Sequence, residues 1–426
     1  MHKIIFKKFT KEKKKLSNLE YNISDIYLYE ILWNKNINDC QKITGFIFNS
    51  ILNIFSTLTI IKCKILKIQK LNYMVAPKNK PLSIDSRSKN IIDKIDLFKC
   101  VNLIRNKGFA SSIILYFKYP NVVFYSGIES IFINFKKNLT LKKINRYKNY
   151  HKNILKIRNI LEKLFLFLNI KKILMIDDNR VYPIFLDICK TNNIKTFGYM
   201  HYKFSKYIVC IPNYEFDNFL VWSDYFKKLL IKLNINYKKK NLFYSNPHFI
   251  KKSLLPKKIF TEKKIGILYI FDMDFDFEIF KKLYKSLDKN KYALYLKFKP
   301  QNNIDFKYKE FCKINNIIFF ENENLELILK NYRLDFFVSC VSTMLLDASL
   351  HNAIPLKIKT SNDFFDDTIK HKVVIVLSPS KFNKINIFLK SLIDNRDKII
   401  NKIRKKTWSI SVKDNNIDLF CQKFNT

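Results

Sequence analysis

From about residue 68 onward the chain alternates short β-type runs with helical stretches, and it does so twice, on either side of a charged, proline-bearing segment at 251–264. Strands separated by helices bury both faces most simply as a parallel sheet covered by helices. The first series reads LNYMVAP, KKILMID, KTFGYM, NFLVWS and NLFYS, with helices expected at 147–168 and 224–234. The second reads KIGILYIF, YALYLKFKP, NIIFFEN, DFFVSCV, IPLKI and VVIVLS, and a basic helical stretch follows from Lys381. The expected fold class is α/β, two Rossmann-like domains facing a cleft, with a helical N-terminal region. Residues 1–258 are assigned to the first domain and 259–426 to the second.

Composition narrows the function. With 48% hydrophobic and 15% aromatic residues, the 426-residue chain has ample material for two cores. Its five glycines, Gly45, Gly108, Gly127, Gly198 and Gly266, are too scattered for a GxGxxG or GxxxxGK[ST] loop, which excludes classical dinucleotide and P-loop chemistry. None of the eight cysteines pairs as CxxC, and no HExxH accompanies them, so a reducing compartment fits and no structural zinc is expected. The net charge of +42 would ordinarily point to a nucleic-acid partner. Only eight of the 78 basic residues are Arg, however, and base-reading surfaces depend on that side chain. Lys, Asn, Ile and Phe all have A/T-rich codons, so the charge reads largely as genome composition, and no nucleic-acid partner is expected.

The opening residues, MHKIIFKKFTKEKKK, lack the apolar core of a secretory signal, and a cytoplasmic location is expected. An uncharged 19-residue stretch, ITGFIFNSILNIFSTLTII, spans 43–61 between Lys42 and Lys62. Its length would permit a membrane span, but its Asn, Ser and Thr residues favour a buried or membrane-surface helix.

Four constellations carry possible chemistry. In DFFVSCVSTMLLDASLHNAIPLKI, Ser342 and Thr343 open an apolar helix after a buried strand, with Asp347 one turn inside. Such an arrangement either holds a donor diphosphate and ribose or is an ordinary N-cap with an acidic first turn. Lys297 and Lys299 close another strand at a spacing of two and would point the same way, or are simply two more of many lysines. Asp177 and Asp178 emerge from a strand ahead of Arg180, and His201 follows the next strand. Those carboxylates supply either a general base or a solvated cap pair. Asp272, Asp274 and Asp276 alternate in FDMDFDFE. A calcium loop there fails, because Phe277 stands where Gly is needed and Leu283 where Glu is needed. A DxD metal site or an acidic helix-entry loop is left.

Taken in order, IDDNR, KTFGYMHYKF, FLVWSDYFKKLLIKLNI, SNPHF, LKFKP and VSTMLLDASLHNAIP resemble the motif series of GT-B glycosyltransferases of bacterial capsule and lipopolysaccharide synthesis. The wider group includes polyol-phosphate transferases with CDP-linked donors. The resemblance covers about residues 170–400. His201 matches the histidine of a "gy-Gln-His-Gly" turn whose final glycine is here Tyr202, and Trp222 falls in a "vWG" segment. Asn246, Pro247 and Phe249 match "G-N-P-r-f", with Ser245 in place of Gly. Lys297 and Pro300 match "K-p-H-P", with Lys299 replacing the histidine, and Asp347 replaces the glutamate of "s-S/T-x-x-x-E-A". The resemblance implies a nucleotide-sugar donor bound by the second domain through Lys297, Lys299, Ser342, Thr343 and Asp347. It implies a lipid-linked or glycan acceptor on the first domain, with Asp178, Asp177 or His201 as base, and no cofactor or bound metal. It also implies a final helix that returns to the first domain and a peripheral place on the inner face of the cytoplasmic membrane.

Overall fold

The computed structural model describes residues 46–74, 91–105, 109–125, 144–176, 182–200, 215–244, 264–271, 277–298, 306–321, 323, 325–340, 342, 344–360, 366–408 and 416–426. It divides into two compact units. One contains 2–222, 227–245 and 414–426; the other contains 223–226 and 246–413.

The first unit is organised on seven parallel strands: β1 (Lys70–Met74), β2 (Cys100–Arg105), β3 (Val122–Tyr125), β4 (Lys172–Ile176), β5 (Lys195–Tyr199), β6 (Asn218–Val221) and β7 (Asn241–Tyr244). Their order is β3-β2-β1-β4-β5-β6-β7. Helices α1 (Phe46–Ile65), α2 (Phe109–Lys118), α3 (Ile144–Leu168), α4 (Tyr182–Thr191) and α5 (Asp224–Leu233) join them. Strand β6 is buried at every position, as a central parallel strand covered on both faces must be. The 43–61 stretch forms most of α1, and among the described residues no helix is long and apolar enough to cross a membrane.

Strands β2 and β3 and helix α2 are additions to the sequence reading. Two asparagines explain the omission. Asn102 sits in mid-strand, fully buried, and would be costly there without partners. Asn72 Nδ2 donates to its Oδ1 at 3.2 Å, while its own Nδ2 donates to the Pro120 carbonyl at 2.6 Å. Asn121, at φ 49°, donates to the Phe98 carbonyl at 2.7 Å and turns the chain into β3.

The second unit carries six parallel strands: β8 (Ile265–Phe271), β9 (Tyr292–Phe298), β10 (Ile318–Phe320), β11 (Phe336–Ser339), β12 (Ile354–Ile358) and β13 (Ile375–Leu377). Their order is β10-β9-β8-β11-β12-β13. The sheet is flanked by α6 (Phe277–Ser286), α7 (Phe306–Ile314), α8 (Leu325–Asn331), α9 (Met344–Asp347), α10 (Asp366–Lys370), α11 (Ile385–Asp394) and α12 (Arg396–Thr407). Phe271, Phe277, Phe298 and Tyr308 form an aromatic cluster on one face, with Phe271 and Tyr308 ring centres 4.5 Å apart. At the amino end of the sheet, Gly266 lies so close to β11's entry that an added Cβ would meet the Arg333 carbonyl oxygen at 1.7 Å.

The chain closes on the first unit. Helix α13 (Ile417–Asn425) buries Phe420 and Phe424 against Phe197 and Phe243, with ring centres 5.3 to 5.5 Å apart. Asn416 donates its amide to the Tyr244 carbonyl at 3.0 Å, fixing the point of entry.

Candidate functional site

At the carboxyl ends of β9, β8, β11 and β12 in the second unit, charged and polar side chains meet the sheet. Register sets Lys297 beside Ile270 and Ser339 beside Lys357, and Val338 beside Tyr269. Lys297, Ile270, Ser339 and Lys357 therefore fall in one row across four strands, with Lys297 and Ser339 about 10 Å apart at two strand spacings.

Lys297 is buried and donates from Nζ to the Glu323 carbonyl at 2.8 Å. Burial lowers its pKa, opposed by the Glu323 carboxylate. This ammonium ties the end of β9 to the segment between β10 and α8. Lys299 lies outside the described residues, so their pairing is not described. Lys357, at 1% exposure, sits inside an otherwise apolar strand and donates to the Ile358 carbonyl at 2.6 Å. Sequence reasoning passed it over; the available signal was a lysine in the strand IPLKI, where both faces are covered.

After β11 the chain turns sharply. The Ser342 amide donates to Ser339 Oγ at 3.0 Å, and Ser342 Oγ accepts from the Met344 amide at 3.4 Å. The hydroxyl of Ser342 thus caps the turn as an acceptor. Thr343 lies outside the described residues. The helix that follows is short, four α-helical residues continued by the 3-10 turn Ala348–His351, so its dipole is weaker than that of a long helix. Asn352, at φ 56°, ends it in the left-handed conformation that Asn tolerates well. Helix α12 braces the turn. Trp408 Nε1 donates to the Leu346 carbonyl at 2.9 Å, and Arg404 donates to the Ser349 carbonyl from Nη2 at 2.6 Å.

Asp347 projects from this braced turn with 5% of its surface exposed. Burial pushes its carboxyl well above the ordinary carboxylate range, and no charge or hydrogen bond among the described residues pulls it back. One turn on, His351 is held to about 4 by burial; its Nε2 is buried without a hydrogen-bond partner among the described residues, and its ring stacks on Phe337. Burial thus disfavours the charged form of two titratable groups within one short turn.

The remaining assigned residues follow the first sheet. Ile176 of β4 pairs with Tyr199 of β5, so adjacent strands lead the chain toward Asp177 and His201. Asp177, Asp178, Arg180 and His201 themselves lie outside the described residues, as do Asp272, Asp274 and Asp276.

No protein-family model matches the chain, and no curated protein matches it. Solved structures do. The chain is similar to S. aureus MnaA in a co-structure with UDP, at 10% identity and a TM-score of 0.50, over 82% of this chain and 93% of that one. It is similar to Arabidopsis thaliana UGT89C1 complexed with UDP-L-rhamnose, at 10% identity and a TM-score of 0.51, over 84% and 99%. The same plant protein complexed with UDP gives 12% identity and a TM-score of 0.52. At these identities the likeness is one of fold. The architecture is the two-sheet α/β fold of the GT-B type.

Proposed function

We propose that the chain is a nucleotide-sugar enzyme, and specifically a glycosyltransferase that moves a sugar from a nucleotide donor to a lipid-linked or growing glycan acceptor in the cytoplasm. The observation that carries the reading is Asp347: a carboxyl buried one turn beyond Ser342, at the carboxyl end of a parallel strand, where burial raises its pKa. A group kept in an unfavourable environment at a strand end is the mark of a functional position. The fold it shares with UDP-bearing structures supports the same reading.

In this reading Asp347 hydrogen-bonds the ribose hydroxyls, and the Ser342 and Thr343 hydroxyls donate to the diphosphate. Lys299 neutralises it, while Lys297 fixes the end of β9 beside it. The acceptor hydroxyl gives its proton to a base, Asp178 first and Asp177 or His201 next. Its oxygen bonds to the anomeric carbon as the bond from that carbon to the diphosphate oxygen breaks. The nucleotide leaves with the electron pair, and positive side chains and hydroxyls stabilise its growing charge.

The test is product analysis by mass spectrometry after incubating the full chain with UDP- and CDP-linked donors and a membrane lipid extract. A glycosylated lipid whose formation is lost in Asp178→Asn supports transfer. Isomerised or hydrolysed donor with no new glycosidic bond would overturn it, and a polyol phosphate on the acceptor would assign the chain to the CDP-donor branch of the fold.

A further inference from the structure

Helix α1 presents its faces the wrong way round for a helix packed on a soluble domain. Its protein-facing side carries Ser56, Thr59 and Cys63, all buried. Ser56 Oγ accepts the Phe124 amide of edge strand β3 at 3.1 Å, and the Thr59 and Tyr116 hydroxyls lie 3.3 Å apart. Those polar groups face inward because the edge of the sheet needs partners. The opposite side carries Ile54, Leu58, Ile61 and Ile65, with exposures of 60%, 56%, 48% and 73%. At about 100° per residue the four fall within an arc of roughly 60°, centred opposite Cys63. Exposed Lys62 and Lys64 flank this stripe, one on each side.

The neighbouring helices also carry exposed apolar residues. Phe117 of α2 is 77% exposed, and Leu166 and Phe167 of α3 are also exposed. Lys64 donates to the Phe167 carbonyl and lies 5.0 Å over its ring, which joins the end of α3 to the α1 stripe. Helices α1, α2 and α3 together hold a single carboxylate, Glu162, and Arg158 engages it at 2.7 Å. An apolar stripe of this continuity, rimmed by lysines and free of unpaired acid, matches the chemistry of an anionic bilayer surface. Alkyl side chains enter the acyl boundary while the lysine stems reach back to phosphates.

We propose that this face is a docking surface for an anionic phospholipid bilayer, on which α1 lies flat with Ile54, Leu58, Ile61 and Ile65 inserted. The inference stands apart from the proposed chemistry, because it rests on the first unit's outer helices alone. A second copy of the same face is disfavoured by charge, since Lys62 and Lys64 would meet their own kind with no carboxylate to pair them.

The experiment is flotation of the full-length protein with vesicles of phosphatidylglycerol or phosphatidylcholine, at low and at 0.5 M salt. The variants are the triple Leu58→Gln, Ile61→Gln, Ile65→Gln and the double Lys62→Ala, Lys64→Ala, each checked by thermal melting and gel filtration. Wild type floats with phosphatidylglycerol only. The triple variant binds at least tenfold more weakly with an unchanged melting temperature, and the double variant binds more weakly at low salt. Failure of wild type to float, or a triple variant that floats equally well, overturns the proposal. So does a wild-type dimer that the triple variant abolishes, which would give the stripe to a second copy of the chain.

Discussion

Replacing Asp335 with alanine should loosen the second sheet and leave the first untouched. Asp335 precedes β11 and is fully buried. Its Oδ2 accepts the Gly266 amide at 3.1 Å and Arg333 Nε at 3.0 Å, while Arg396 Nη1 stands 3.1 Å from Oδ1 as an ion pair without hydrogen-bond alignment. The three donors differ in what they lose. The Gly266 amide is shut in by the close approach of the Arg333 carbonyl, so losing its acceptor costs about 1–3 kcal/mol. The side chains of Arg333 and Arg396 are 37% and 30% exposed and regain water, adding about 0–1 kcal/mol each. The sum is about 1–5 kcal/mol. Hydrogen exchange read by mass spectrometry resolves it by unit: peptides covering β8 and β11 should exchange roughly five- to a few thousandfold faster, at about a tenfold change per 1.4 kcal/mol. Peptides covering β4 and β5 should be unchanged. Asp335→Asn retains an acceptor for Gly266 and should recover part of the loss. An acceleration below threefold in β8 and β11, or an equal one in both sheets, would refute the idea that this carboxylate fastens β11 to β8.

Phe420→Ala removes a fully buried ring from the contact of α13 with Phe197 and Phe243 and should cost about 3–5 kcal/mol; protection loss confined to the first sheet and residues 416–426 checks it. The His351 imidazole has a folded-state pKa of about 4 against about 6.5 unfolded, so the unfolded chain takes up its proton first as pH falls. Stability from this residue is complete above about pH 6.5 and declines toward pH 4, by about 3 kcal/mol at 1.36 kcal/mol per unit. In His351→Phe, urea titrations over that range should show a flatter decline.

The buried strands of the second sheet were legible because both of their faces are covered, so GILYIF and FFV read as unbroken apolar runs. Strand β2 was not legible: CVNLIR contains Asn102, whose burial is supported by the nearby Leu97 and Cys100 carbonyls and also by Asn72 and the Pro120 carbonyl, which are distant in sequence. The turn from Ser342 to Asp347 could be read from local grammar, a strand followed by a cap and a helix. Its support by Trp408 and Arg404 could not, since those residues lie at the end of α12, more than fifty positions later. Lys297 was legible as a strand-end charge, but its attachment to the Glu323 carbonyl depends on how β9 and β10 pair. For α1, the 43–61 stretch revealed a helix without revealing which side faces out. That side was decided by the hydrogen-bonding needs of an edge strand absent from the sequence reading.

The central claim is that the second unit binds a nucleotide diphosphate at the turn after β11. Calorimetric titration of UDP and CDP into the full chain and into Ser342→Ala and Asp347→Ala variants measures this directly. Wild type should bind one nucleotide saturably, weakened about fivefold by the loss of the Ser342 hydroxyl, at roughly 1 kcal/mol per hydrogen bond. Asp347→Ala should weaken it at least as much, with both variants folded. No nucleotide binding by wild type, or wild-type affinity in both variants, would contradict it.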